Sequence, residues 1–105
     1  MSDGWHDVCD EADLWEGDMM GVQVAGNPVL LVRDAEALRA FRDVCPHQEN
    51  PLHTGVLDEE ILVCEFHNWM FDTTTGEAIN PVGECLTLYE ARVSGDRIEV
   101  RFPAI

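Results

Sequence analysis

Two short segments constrain this chain more than anything else in it. Cys45-Pro46-His47 and Cys64-Glu65-Phe66-His67 each carry one cysteine and one histidine, and sixteen residues separate His47 from Cys64. Thiolate and imidazole are strong transition-metal donors. For both pairs to serve one centre, the fold must present two loops side by side and hold them at a fixed separation. At 105 residues, 46% of them hydrophobic, the chain reads as one domain, residues 1–105, with a modest core. A metal centre bridging the two loops helps such a domain keep its shape.

The internal spacings, Cys-x-His followed by Cys-x-x-His, are the ligand pattern of a Rieske [2Fe–2S] centre, in which two thiolates hold one iron and two imidazoles the other. Putting both imidazoles on one iron makes that iron the easier one to reduce, so the motif points to an electron carrier. The rival reading is a zinc-stabilised binding module without redox activity, since a Cys₂His₂ set also suits zinc. Zinc modules more often pair cysteine with cysteine and histidine with histidine, which favours the iron–sulfur reading.

Bulk properties narrow the partners. The chain has 21 acidic residues against 6 arginines and no lysine, a formal net charge of -15. Nucleic acid and anionic membranes are poor partners for it. A solvated acidic surface accounts for the charge by itself, but an electron carrier gains from it, because acidic faces meeting basic ones speed encounter. The longest clearly apolar run, Val29-Leu30-Leu31-Val32, is far short of the roughly 20 residues that span a bilayer. Met1-Ser2-Asp3-Gly4-Trp5-His6-Asp7 has neither a basic n-region nor an apolar h-region, so the expected location is cytoplasmic. Four cysteines in that setting favour metal binding over disulfides.

Short apolar runs between turn signals predict a mostly β fold, an antiparallel sandwich or small barrel with the ligand motifs at loop tips. Strands are expected at Trp5–Cys9, Met19–Val24, Pro28–Asp34, Leu38–Val44, Ile61–Glu65, Met70–Asp72, Leu86–Val93 and Arg97–Phe102. Ala25-Gly26-Asn27 and Ser94-Gly95-Asp96 read as hairpin turns. One helical turn is expected at Glu11–Trp15, a turn at Asp34–Ala37, and a third loop, containing Pro81, over Gly76–Gly83.

The chain resembles Rieske-type ferredoxins throughout, and most closely the ferredoxin component of bacterial multicomponent diiron monooxygenases of the toluene and alkene type. Cys45-Pro46-His47-Gln48-Glu49, His67-Asn68-Trp69-Met70-Phe71, Ile79-Asn80-Pro81 and the tail from Leu88-Tyr89 through Val93, Gly95-Asp96 and Ile98 carry the resemblance. It implies one Rieske-type [2Fe–2S] cluster held at one end of antiparallel sheets. Cys45 and Cys64 would ligate the inner iron, His47 and His67 the outer iron near the surface, and Pro81 would help cover the cluster. It also implies a non-catalytic, monomeric carrier in aromatic or alkene catabolism. That carrier takes single electrons from a flavin-containing NADH reductase and passes them to a diiron hydroxylase. The alternative is the ferredoxin of an aromatic-ring-hydroxylating dioxygenase. A catalytic Rieske oxygenase subunit needs a further mononuclear iron domain, for which the chain is too short. Respiratory relatives bridge their ligand loops with a disulfide. Here the corresponding positions are Asn50 and Phe66, which fits the ferredoxin branch and a reducing compartment.

Docking should occur at the histidine end, through Gln48, Glu49, Pro51, Glu65, Asn68, Trp69, Pro81 and Val82. Trp69 is either core packing or an apolar contact beside the cluster. Trp5 and Trp15 are most simply packing residues, Cys9 and Cys85 buried or half-buried thiols, and His6 and His53 surface or loop-packing histidines. High-potential relatives carry a serine and a tyrosine two and four positions past the last ligand histidine, where their hydroxyls stabilise the reduced cluster. Here these positions are Trp69 and Phe71, which replace neither hydroxyl. The midpoint potential is therefore expected near the bottom of the class range, about -150 mV, and a potentiometric titration giving a clearly positive value would refute this.

Overall fold

Val29, Leu30, Leu31 and Val32 are all fully buried in the computed structural model, which describes residues 4–34, 37–44, 51–64, 69–80 and 83–102. Successive side chains of a strand point to opposite faces, so this run must be covered on both sides. Two apolar clusters cover it. Val29 and Leu31 pack with Leu14, Val24, Ala40, Ile98 and Val100. Leu30 and Val32 pack with Phe41, Leu52, Leu62, Cys64, Phe71, Ala78 and Leu86.

The strands that build these layers are β1 (Trp5–Asp10), β2 (Met19–Val24), β3 (Asn27–Arg33), β4 (Leu38–Arg42), β5 (Val56–Asp58), β6 (Ile61–Val63), β7 (Met70–Asp72), β8 (Ala78–Asn80), β9 (Leu88–Ser94) and β10 (Arg97–Arg101). Six form one sheet in the order β1-β10-β9-β4-β3-β2, and four form a second in the order β5-β6-β7-β8. Every pairing between neighbouring strands is antiparallel. The outer strands β1 and β2 approach each other, so the larger sheet is a nearly closed barrel around the first cluster. The smaller sheet covers the outside of β3 and β4, with the second cluster between. The expected β class thus holds, with a barrel and a second sheet packed on its wall.

Turn chemistry sets the registers. Val24 pairs with Asn27, leaving Ala25 and Gly26 as a two-residue loop with φ of 51° and 83°. Two positive φ angles are the signature of the hairpin turn whose twist matches its strands. Asn27 therefore belongs to the strand, not to the expected three-residue turn. Ser94 pairs with Arg97 around Gly95-Asp96, and Gly95 takes the positive φ of 65°. At Asp34, the backbone N–H donates to the Ala37 carbonyl (3.1 Å) and a carboxylate oxygen accepts the Ala37 N–H (2.9 Å). That side-chain turn at Asp34 leads the chain into β4, as expected.

Several expectations are corrected. The helical turn is a shorter 3₁₀ turn, Glu11–Asp13. β4 ends at Arg42 and β9 begins at Leu88. Leu86 is instead tied to the Gly76 carbonyl by its N–H (2.7 Å) and buried. The supposed third loop contains β8, and β5 was not foreseen. Both are three residues long, too short for alternation to register, and exist because β7 and β6 offer them a ladder. Trp15 is not a packing residue: it is 73% exposed, and its indole N–H donates to the Ala12 carbonyl. Trp5 lies beneath the guanidinium groups of Arg92 (4.0 Å) and Arg101 (4.8 Å). His6 sits beside Phe102, ring centroids 5.3 Å apart.

Because adjacent residues of β3 serve different cores, Leu30→Ala and Leu31→Ala should each cost about 2–5 kcal/mol, the usual range for a buried Leu→Ala cavity. Chemical denaturation checks this. A near-neutral result for either variant would mean that β3 is covered on one face only.

Candidate metal centre

One end of the smaller sheet is where the second and third loops leave it. Val56, Val63, Met70 and Asn80 form a row of paired residues there. Cys64 follows Val63 and Trp69 precedes Met70. The Cys64 N–H donates to the Trp69 carbonyl at 2.7 Å, which extends the β6–β7 ladder by one rung. Cys64 is fully buried in the second core. Trp69 is half-buried against that core, its ring centroid 6.4 Å from that of Phe71. One side of the indole thus packs on that core while the rest stays open to solvent. The Phe71 ring is fully buried.

The first loop is anchored in the same core. Leu52, just beyond it, is fully buried beside Cys64's neighbours. Asp43, just before it, is only 5% exposed, and one carboxylate oxygen accepts the backbone N–H of Leu52 (2.8 Å) and of His53 (2.9 Å). The other lies 2.5 Å from His53 Nδ1. The Asp43 N–H in turn donates to the Pro28 carbonyl at 3.1 Å, tying the group to β3. A buried carboxylate is tolerated only when its lone pairs are met, and here three donors meet them. His53 is therefore a loop-packing histidine, as expected, but with a specific partner. The role of Asp43 was missed, because a single acid among 21 gives no signal until the fold brings residues 52 and 53 against it.

The third loop returns through Gly83, whose φ is 113°. The Ala78 N–H donates to the Glu84 carbonyl (2.8 Å), and Glu77 forms an isolated bridge with Cys85. Cys85 is exposed, not buried as expected; Cys9 is half-buried, and neither is in a disulfide. Burial, followed by the negative charge of Asp13, pushes the Cys9 thiol up, which disfavours its thiolate.

Of the predicted ligands, Cys45, His47 and His67 lie outside the described residues, as do Gln48, Glu49, Glu65, Asn68, Pro81 and Val82 of the docking set and Asn50 and Phe66. Pro51 is exposed, at the end of the first loop. The surroundings fit a two-iron, two-sulfide cluster. Cys64 offers a soft sulfur from a dry core, and the stems of both ligand loops converge on that core. Exposed ion pairs elsewhere hold the sheets rather than the site. Arg97 donates to Asp7 (2.8 Å) and Asp10 (2.5 Å) across β10 and β1, holding the Asp7 carboxyl below its usual range.

A family model described as Rieske [2Fe-2S] domain matches residues 4–90. The ferredoxin component of the alkene monooxygenase system of Xanthobacter autotrophicus is 39% identical over 93 residues, 88% of this chain and 76% of that one. The ferredoxin component of a naphthalene 1,2-dioxygenase system from Pseudomonas aeruginosa is 28% identical, over 95% of this chain and 97% of its own. Among solved structures, the ferredoxin of carbazole 1,9a-dioxygenase from Nocardioides aromaticivorans superposes with a TM-score of 0.83 at 29% identity, covering 92% of this chain and 96% of that one. A chain in a complex of reduced oxygenase and oxidized ferredoxin of carbazole 1,9a-dioxygenase gives 0.85 at 27% identity, covering 95% and 94%. The chain belongs to the Rieske [2Fe–2S] domain family, and its cofactor is one Rieske-type cluster.

Proposed function

We propose that this protein is the electron-carrying ferredoxin of a diiron monooxygenase acting on an alkene or aromatic substrate. It would take single electrons from an NADH-dependent flavin reductase and deliver them to the hydroxylase. The observation that carries this reading is the 39% identity, over 88% of the chain, to a protein named as the ferredoxin component of an alkene monooxygenase system. The second reading, a ring-hydroxylating dioxygenase ferredoxin, rests on the naphthalene and carbazole relatives. The two are separated by reconstitution. The protein, photoreduced, is offered to a purified alkene-type diiron hydroxylase and to a naphthalene-type dioxygenase, and product is measured. Turnover with the dioxygenase alone would overturn the first reading. On either reading the carrier is non-catalytic, monomeric and cytoplasmic.

In this reading Cys45 and Cys64 hold one iron, and His47 and His67 the other. The bound cluster supplies a site that accepts and returns one electron. The chain's own part is to keep the cysteine end dry and the histidine end near solvent. Cys64, fully buried among Phe41, Leu62 and Phe71, serves the first need. Exposed Pro51 and half-buried Trp69, just outside the two ligand segments, would supply a small apolar centre for the second. Gln48, Glu49, Glu65, Asn68, Pro81 and Val82 complete the proposed docking set by their places in the sequence. Such an interface should be small and short-lived. The acidic surface steers it toward basic partners.

Replacing either ligand cysteine should abolish the cluster. Iron analysis is expected to fall from about two iron per chain to nearly none in Cys45→Ala and Cys64→Ala, and a Cys64→Ala protein with a full, normal cluster would contradict the assignment. Docking through the histidine end predicts that Glu49→Lys or Glu65→Lys slows reconstituted turnover at low salt while leaving the visible spectrum intact. Asp96→Lys, in the exposed β9–β10 turn, should not. Raising ionic strength from about 0.1 M to 1 M should narrow the gap, as the Debye length falls from ~10 Å to ~3 Å. Equal turnover for Glu49→Lys and Asp96→Lys at low salt would place the docking face elsewhere.

A further inference from the structure

A notch in β2 completes the group around Asp43. Gly21 pairs with Leu30 of β3, and the His53 ring lies over it. A Cβ at position 21 would stand 2.4 Å from His53 Nδ1, 2.5 Å from His53 Cγ and 2.8 Å from the Asp43 carboxylate. No β carbon fits at those distances. Gly21 is not required for its backbone angles, since it is not among the positive-φ glycines. It is required for space, and the space is occupied by the Asp43–His53 pair.

The same pair spans the first ligand loop. Asp43 precedes residues 44–51, and its carboxylate takes the N–H groups of the two residues that follow them. Leu52 then drops into the core that holds Cys64. The loop is therefore closed from two directions: apolar burial of Leu52 pulls it down, and the carboxylate fixes where residues 43 and 52–53 meet. Burial alone is non-directional and tolerates sliding. Three hydrogen bonds to one buried carboxylate are directional and do not.

We propose that Gly21, Asp43 and His53 are positioning residues for the first ligand loop, setting where Cys45 and His47 stand relative to the buried Cys64. The inference rests on the assignment of Cys45 and His47 as ligands. Asp43 acts through hydrogen bonds to the loop's far end, His53 by completing the carboxylate's donor set, and Gly21 by leaving the ring its seat.

The test uses the full chain with its cluster. Wild type, Asp43→Ala, Asp43→Asn, His53→Ala and Gly21→Ala are challenged with an iron chelator, and bleaching of the visible absorption is timed. The electron paramagnetic resonance g-values of the reduced proteins are recorded alongside. Val100→Ala, in the other core, serves as a control for general loss of stability. Asp43→Ala and Gly21→Ala should bleach at least about tenfold faster than wild type, the factor that one lost charge-assisted hydrogen bond corresponds to. Their g-values should also move. His53→Ala, which keeps the backbone bonds, and Asp43→Asn, which keeps an acceptor for them, should fall between. Val100→Ala should keep wild-type g-values even if its melting temperature drops as far. If Asp43→Ala takes up no cluster, Gly21→Ala decides, because it removes no charge and no hydrogen-bonding group. Wild-type g-values in Gly21→Ala and Asp43→Ala, with bleaching no faster than in Val100→Ala at matched melting temperature, would reduce the group to ordinary fold stability and overturn the proposal. A Cys45→Ala protein with full iron and an unchanged spectrum would instead overturn the ligand assignment, whatever the clamp variants do.

Discussion

The rest of this fold depends on covering β3 from both sides. A strand with four consecutive fully buried residues cannot sit at the surface of a single sheet, because half of its side chains would face water. The barrel closes over Val29 and Leu31, and the four-stranded sheet closes over Leu30 and Val32. That second closure creates the core in which Cys64 is buried and from which both ligand-loop stems rise. A strand's demand for burial thus leads directly to the core that takes in Cys64, one of the four proposed ligands.

The site is built by two kinds of force that do different work. Apolar burial of Leu52, Cys64, Phe71 and Leu86 gathers the loop stems into one region without specifying their angles. Directional bonds then set the details. The Cys64–Trp69 rung closes one loop, the Asp43 carboxylate closes another, and the Ala78–Glu84 bond returns the third to the sheet. Short loops held at both stems suit a ligand set whose reach must not drift between redox states.

Charge is organised separately. Arg33, Arg39, Arg92, Arg97 and Arg101 each pair with a carboxylate, joining strand to strand or strand to turn. The exposed ones among them, such as Arg97 with Asp7, add little stability individually. Their larger effect is on the field outside the molecule. With 6 cations against 21 acids, and most of the cations matched within the fold, the chain as a whole carries a strong negative charge. That favours fast encounter with basic proteins and disfavours nucleic acid.

The sequence by itself determined the chemistry and the class. Two cysteine–histidine pairs at close internal spacing name a metal centre whatever the fold, because donor type and reach are local properties. The β class was legible because Val29–Val32 and the alternation in Arg97–Arg101 are local too, and the glycine turns at Gly26 and Gly95 fixed hairpin registers within a few residues. What only the tertiary structure decided depends on contacts far apart in the chain. β5 and β8 are strands because neighbours pair with them, not because three residues prefer it. Trp15 is exposed and Trp69 half-buried, a difference set by whether a core lies beside each indole. Asp43, one carboxylate among many in the sequence, becomes the centre of the first loop's closure only when residues 52 and 53 fold back onto it. Gly21 becomes irreplaceable only when the His53 ring arrives to fill the space a side chain would need.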